Sequence, residues 1–135
     1  MSPQVTRRKM AYMAGYLAEL EKYHSIPFRD YIAERRAVER LLILLIQSAI
    51  DIVSHLLADR GPLRPDTYRE LFVAAADAGL LNKSLARSFE QAAGLRNILI
   101  HEYEKIDDRL VWKSLPRAVK DSKAFLAAME KILEK

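Results

Sequence analysis

Apolar positions recur at three- and four-residue steps along most of this chain, a period that predicts helices rather than strands. Met10, Met13, Leu17 and Leu20 mark the first helix, expected over Gln4 to His24. Ser25-Ile26-Pro27 breaks it, because proline disfavours helical backbone in the residue before it. A longer helix is expected from Phe28 to Asp59, closed by Arg60-Gly61-Pro62. Its first half is charged, in Arg29, Asp30, Glu34, Arg35, Arg36, Glu39 and Arg40, and its second half, Leu41 to Leu57, is apolar on nearly every side. A helix with one buried face shows a single stripe. This one therefore predicts a central place in a bundle and a remaining face shared with a second subunit.

Gly61-Pro62-Leu63-Arg64-Pro65 is the clearest loop. Asp66 or Thr67 is expected to cap a short helix over Tyr68, Leu71, Phe72 and Ala75, stopped by Gly79. Asn82 or Ser84 caps a fourth, over Leu85, Phe89, Ala92, Ala93, Leu95 and Leu99. The last helix begins near Asp107-Asp108, whose carboxylates suit a helix N-terminus, and runs to about Leu133. Pro116 inside it predicts a kink or a restart near Ser114. The expected fold is an all-α antiparallel bundle of four to five helices, one domain over residues 1–135.

Composition narrows the classes. The chain has 135 residues, 50% hydrophobic and 30% charged, an ordinary balance for one compact domain rather than a disordered segment. With 4 Gly, 5 Pro and 8% aromatics it fits a turn-dense β-sandwich poorly. The absence of cysteine removes disulfides, thiolate metal sites and thiol nucleophiles together. The longest unbroken apolar run, Leu41 to Ile46, is too short to span a bilayer. The basic start MSPQVTRRKM has no apolar segment behind it, as a signal peptide requires. A soluble cytoplasmic protein without a membrane partner is expected. The balance of 22 Lys+Arg against 18 Asp+Glu, net +4, permits contact with phosphates.

Of the three histidines, His24 is expected to cap the end of the first helix, and His55 to be a partly buried, hydrogen-bonded residue or a wall of a site. No two have the four-residue spacing of a helical metal site, so no metal or cofactor is expected. His101 differs in its surroundings, because Arg96, Asn97, His101 and Tyr103 crowd around Ile98-Leu99-Ile100. On a continuous helix His101 lies about 140° from Arg96. Convergence then needs either unwinding near Ile100 or a second copy of the chain.

The run Arg96-Asn97-x-x-x-His101-x-Tyr103, followed by Ile106-Asp107, resembles the signature of HEPN-domain proteins and more narrowly of the HepT toxin family. Ala49 to Leu57, Pro65-x-x-Tyr68 and Ala93-Gly94-Leu95 extend the likeness over about Arg36 to Asp107. The resemblance implies a helical homodimer whose two motifs face each other in a cleft. It also implies a metal-independent endoribonuclease, the toxin of a type VII toxin–antitoxin pair acting on tRNA or mRNA. Arg96 and His101 would be catalytic, with Asn97 and Tyr103 supporting. The expected partner is a minimal nucleotidyltransferase antitoxin that adds AMP to the motif tyrosine, here Tyr103.

The residue types suit that chemistry. Histidine, with an ordinary pKa near 6.5, serves as base and acid near neutrality, and arginine matches phosphate with parallel N–H donors. A single His101 cannot easily act on both sides of one phosphate, whereas two copies can. Lys105, Arg109, Lys113 and Arg117 repeat at four-residue steps and are expected to form a stripe, either a solvated face or a track for the RNA backbone. The rival reading is a non-catalytic HEPN-type adaptor that binds a nucleotide or a partner protein. A nucleotidyltransferase on this chain itself is disfavoured, since no Gly-Ser is followed by paired acids.

Overall fold

The computed structural model describes residues 3–60 and 65–134. In order these form α1 (Pro3–Glu21), α2 (Phe28–Ala58), α3 (Tyr68–Asp77), α4 (Lys83–His101), a 3-10 turn (Tyr103–Lys105) and α5 (Asp108–Leu133). The described residues contain no strand. Gly61 to Arg64, the core of the expected loop, lie outside the described residues.

The helix ends follow local chemistry. Thr67 Oγ1 accepts from the Glu70 N–H at 3.0 Å, and Glu70 reaches back to accept from the Asp66 N–H at 2.9 Å. Asn82 Oδ1 accepts from the Leu85 N–H at 2.8 Å, so Asn82 rather than Ser84 is the cap. Asp107 Oδ1 takes the N–H groups of Arg109 and Leu110, both at 3.1 Å. Gly79, at φ 77, closes α3 with paired bonds from its own N–H to Ala76 and from Leu80 to Ala75. His24 behaves as expected, its Nδ1 lying 2.8 Å from the Glu21 carbonyl.

Two boundaries differ from expectation. The α-helical part of α1 stops at Glu21, and bonds from Lys22, Tyr23 and His24 to carbonyls three residues back carry the chain to the break. Pro116 does not restart α5, which runs unbroken from Asp108 to Leu133. Its ring lies on the exposed side, where a carbonyl that loses its N–H partner can meet water.

Helix α2 is the centre. It contacts α1, α3, α4 and α5 and buries Leu42, Leu45, Ala49, Ile52, Val53 and Leu56. An 18-residue stretch of it is long and apolar enough to cross a membrane by length and composition alone, although its longest unbroken apolar run is short. Here that stretch builds the core of a bundle, and its outward side carries Gln47, whose amide donates to Asp51 at 2.8 Å. Phe72, Phe89 and Phe125 join α3, α4 and α5, with ring centroids 6.0 and 5.0 Å apart. Tyr31 is fully buried with no partner for its hydroxyl. Burial, reinforced by the Glu39 carboxylate, pushes its phenol up to about 12.

Candidate functional site

Helix α4 carries Arg96, Asn97 and His101, and it does not unwind near Ile100. His101 is its last helical residue, and the Glu102 N–H still bonds the Ile98 carbonyl at 3.0 Å. The directions of Arg96 and His101 therefore stay about 140° apart. Within one chain the motif does not converge on a single point.

Arg96 turns inward. Its Nη1 donates to Tyr68 Oη at 3.2 Å and to Asn97 Oδ1 at 3.1 Å, and its guanidinium carbon lies 5.9 Å from the Tyr68 ring centroid. Asn97, expected in a supporting role, holds the arginine beside it. Nε is buried and has no hydrogen-bond partner. Since Nη1 is engaged, the remaining edge is Nε–Nη2, whose parallel N–H groups match two phosphate oxygens. A buried N–H left unpaired costs about 1–3 kcal/mol.

Tyr68 is the functional candidate that sequence reasoning left as a mere helix entry. Its only early signal is the Pro65-x-x-Tyr68 pattern, and no spacing rule links position 68 to position 96. It opens α3, and the Thr67 cap fixes that helix start.

His101 is exposed at the end of α4, and its side chain makes no hydrogen bond to another described residue. Tyr103, 70% exposed, stands just beyond on the 3-10 turn. His55 is partly buried, but its Nε2 has no hydrogen-bond partner, contrary to the expected hydrogen-bonded histidine.

Of the four expected stripe cations, Arg109, Lys113 and Arg117 keep their four-residue steps on α5 and Lys105 does not. Lys105 lies on the 3-10 turn, because Ile106 and Asp107 take extended backbone before α5 starts. It pairs with Glu102 at 2.9 Å, which raises its pKa. Arg109 lies 4.1 Å over the Phe28 ring centroid, beside Trp112, whose indole N–H bonds the Ile26 carbonyl at 2.7 Å. Arg117 turns toward α4 and donates to Ser88 Oγ at 2.9 Å. Only Lys113 is left without a partner among the described residues.

Among the described residues no group of three His, Asp or Glu is placed to hold a metal ion. The largely apolar groove between α2, α4 and α5, of about 260 Å³, is lined by Leu45, Phe89 and Leu95 with Lys113 and Arg117 at its edge.

Comparison with known proteins agrees with this arrangement. The tRNA nuclease HepT of Aphanizomenon flos-aquae is 31% identical over 122 residues, covering 88% of this chain and 83% of that protein. The tri-AMPylated HEPN toxin of Shewanella oneidensis, solved in complex with its MNT antitoxin, superposes with a TM-score of 0.85 at 20% identity. That likeness covers 97% of this chain and 99% of the toxin. YutE, a cytosolic protein of unknown function from Bacillus subtilis, shares the fold with a TM-score of 0.82 at 17% identity, covering 97% and 90% of the two chains. The model of the family described as ribonuclease HepT-like matches residues 13–129, which take in all of α2, α3 and α4 and the whole motif. With that match and the Arg96–His101–Tyr103 arrangement at the end of α4, the chain belongs to the HepT-like ribonuclease family.

Proposed function

We propose that this chain is the RNA-cleaving toxin of a toxin–antitoxin pair, acting as a homodimer in the cytoplasm and cutting tRNA or mRNA without a metal ion. The observation that carries the reading is the unpaired Nε–Nη2 edge of Arg96, held in place by Tyr68 and Asn97. That edge binds two non-bridging oxygens of the scissile phosphate. His101 of one protomer takes the proton of the 2′-hydroxyl, whose oxygen attacks phosphorus. The 5′-oxygen leaves with a proton from the second protomer's histidine. The products are a 2′,3′-cyclic phosphate and a 5′-hydroxyl. The geometry supports a dimer, since one continuous α4 directs Arg96 and His101 apart. Family membership and the name of the 31%-identical relative support RNA as the substrate. The single buried cluster drawn from all five helices supports treating residues 1–135 as one domain.

Control is assigned to a nucleotidyltransferase partner of the kind found with the structurally similar AMPylated toxin. The Tyr103 phenol attacks the α-phosphorus of ATP, loses its proton and displaces pyrophosphate. Its exposure on the 3-10 turn gives an enzyme access.

The test is cleavage of tRNA and mRNA by wild type, Arg96→Ala and His101→Ala, each checked for fold and for dimer by sedimentation. Activity that survives EDTA, leaves cyclic phosphate ends and disappears in both variants is expected. Metal dependence or an active His101→Ala would refute the mechanism, and an inert wild type would favour the adaptor.

A further inference from the structure

A second cluster, apart from Arg96 and His101, gathers cations from two helices. Lys83, Ser84, Arg87, Ser88 and Gln91 of α4 and Arg117 of α5 line one depression of about 400 Å³, without a carboxylate in its wall. The Arg117 hydrogen bond to Ser88 is what brings the α5 charge across to α4. Arg117 also has Asp121 at 3.4 Å, on its own helix. Lys83 and Arg87 have no ion pair among the described residues. The nearby acids, Asp77 and Glu90, line the depression on the opposite side of Lys83 and Arg87, together with Arg69. An anion is thus directed to the Ser84–Ser88–Arg117 side, where two hydroxyls and an amide add neutral donors.

Placement along α4 connects this depression to the motif. Lys83 and His101 are five full turns apart, so they share one azimuth about 27 Å apart along the axis. Arg87 lies within about 40° of the same line and about 21 Å from His101. Gly94 falls between them, exposed, and a Cβ built there meets nothing within 4 Å. The face of α4 between the cationic depression and the histidine thus carries the exposed Gly94, with the half-buried Glu90 about 20° to the side away from Ser84 and Ser88.

Resting on the reading that RNA is the substrate, we infer that Lys83, Arg87 and Arg117 form a distal subsite for RNA backbone phosphates. It holds the strand several nucleotides from the cut and guides it along α4. The expected track down α5 is replaced by one that crosses from Lys113 and Arg117 onto the start of α4. Such contacts position the strand and read no base.

The probe is a fluorescein-labelled 2′-O-methyl RNA of mixed sequence, which lacks the attacking hydroxyl and so reports binding by the wild-type protein. Affinity is measured across about 50 to 200 mM salt for wild type, Lys83→Gln/Arg87→Gln and Arg8→Gln/Lys9→Gln. The last removes the same charge from α1, which makes no contact with α4. Arg117 is left intact because its bond to Ser88 joins two helices, and equal circular dichroism melts establish that the variants fold. The slope of log affinity against log salt should fall by about 0.7 per lost contact, about 1.4 in the α4 double variant. The α1 control should keep the wild-type slope. On cleavable RNA the same α4 variant should raise KM and leave kcat unchanged. An unchanged slope, or an equal fall in the control, would overturn the subsite while leaving RNA cleavage by Arg96 and His101 standing. ATP binding lost in the α4 variant, with its RNA slope intact, would assign the depression to a free nucleotide and overturn it too. Absence of RNA binding and cleavage by wild type would instead overturn the functional reading, and this inference with it.

Discussion

Tyr68→Phe isolates one hydrogen bond at the site. The change deletes the oxygen that accepts from Arg96 Nη1 at 3.2 Å and leaves the ring, and with it the 5.9 Å cation–π contact, in place. A hydrogen bond to a charged group contributes about 1.5–3 kcal/mol when well formed and buried. This one is at the long end of the usual range, both residues are half-buried, and Asn97 still holds the same nitrogen. The expected loss is about 1 kcal/mol, a fall in Tm of roughly 3–5 °C for a chain of this size. If Tyr68 presents Arg96 to the phosphate, the same energy is lost in the transition state, and kcat/KM drops about fivefold. Thermal melts and initial rates of tRNA cleavage by one preparation measure both. A lowered Tm with unchanged kcat/KM would show that the orientation of Arg96 by Tyr68 does not matter for cleavage. A loss as deep as that of Arg96→Ala would show the phenol itself in the chemistry. An unchanged Tm would refute the energetic value assigned to the bond.

Tyr31→Phe removes a buried hydroxyl that has no partner, and should stabilise the fold by about 1 kcal/mol. The raised Tyr31 pKa favours the folded state below pH 10, and that contribution is lost as pH rises toward about 12. Denaturant titrations across this range should therefore show a shallower alkaline decline in the variant, and parallel curves would refute the assignment. Gly94→Ala, in an exposed helix interior with open space for a methyl group, should raise stability by roughly 0.5–1 kcal/mol; no gain in the unfolding midpoint would contradict that. With the partner nucleotidyltransferase, ATP and Mg²⁺, wild type should gain mass in whole AMP units mapping to Tyr103. Tyr103→Phe should gain none there and escape neutralisation, and full neutralisation of that variant would rule the switch out.

Much of the fold was legible because it depends on neighbours in sequence. Three- and four-residue periodicity located all five helices, and side-chain oxygens at Thr67, Asn82 and Asp107 set where three of them start. The restart near Ser114 failed because a proline on an exposed helix face is tolerated where water can serve the freed carbonyl. Lys105 leaves the expected cationic stripe for a related reason: regular spacing implies one face only while the helix is unbroken, and Asp107 caps α5 after Lys105 has passed, whereas Arg109, Lys113 and Arg117 keep their four-residue steps on α5. Partnerships across the bundle had no such local sign. The Tyr68–Arg96 contact spans 28 positions and Arg117–Ser88 spans 29. The motif residues were visible as a motif, but their divergent directions became definite only once α4 was seen to stay helical through His101.

The link between α4 and α5 has a consequence for inhibition. Glu102 is tied back to Ile98, Lys105 and Ile106 bond within the turn, and Asp107 and Trp112 anchor the start of α5. Tyr103 therefore sits on a short arm fixed at both ends. A nucleotide bonded to that phenol becomes an intramolecular ligand, confined to the end of α4 at an effective concentration in the millimolar range or above. On the proposed reading, a millimolar affinity for the cleft is then enough for it to compete with RNA. Dilution of the protein does not relieve the block, and breaking the phosphodiester does.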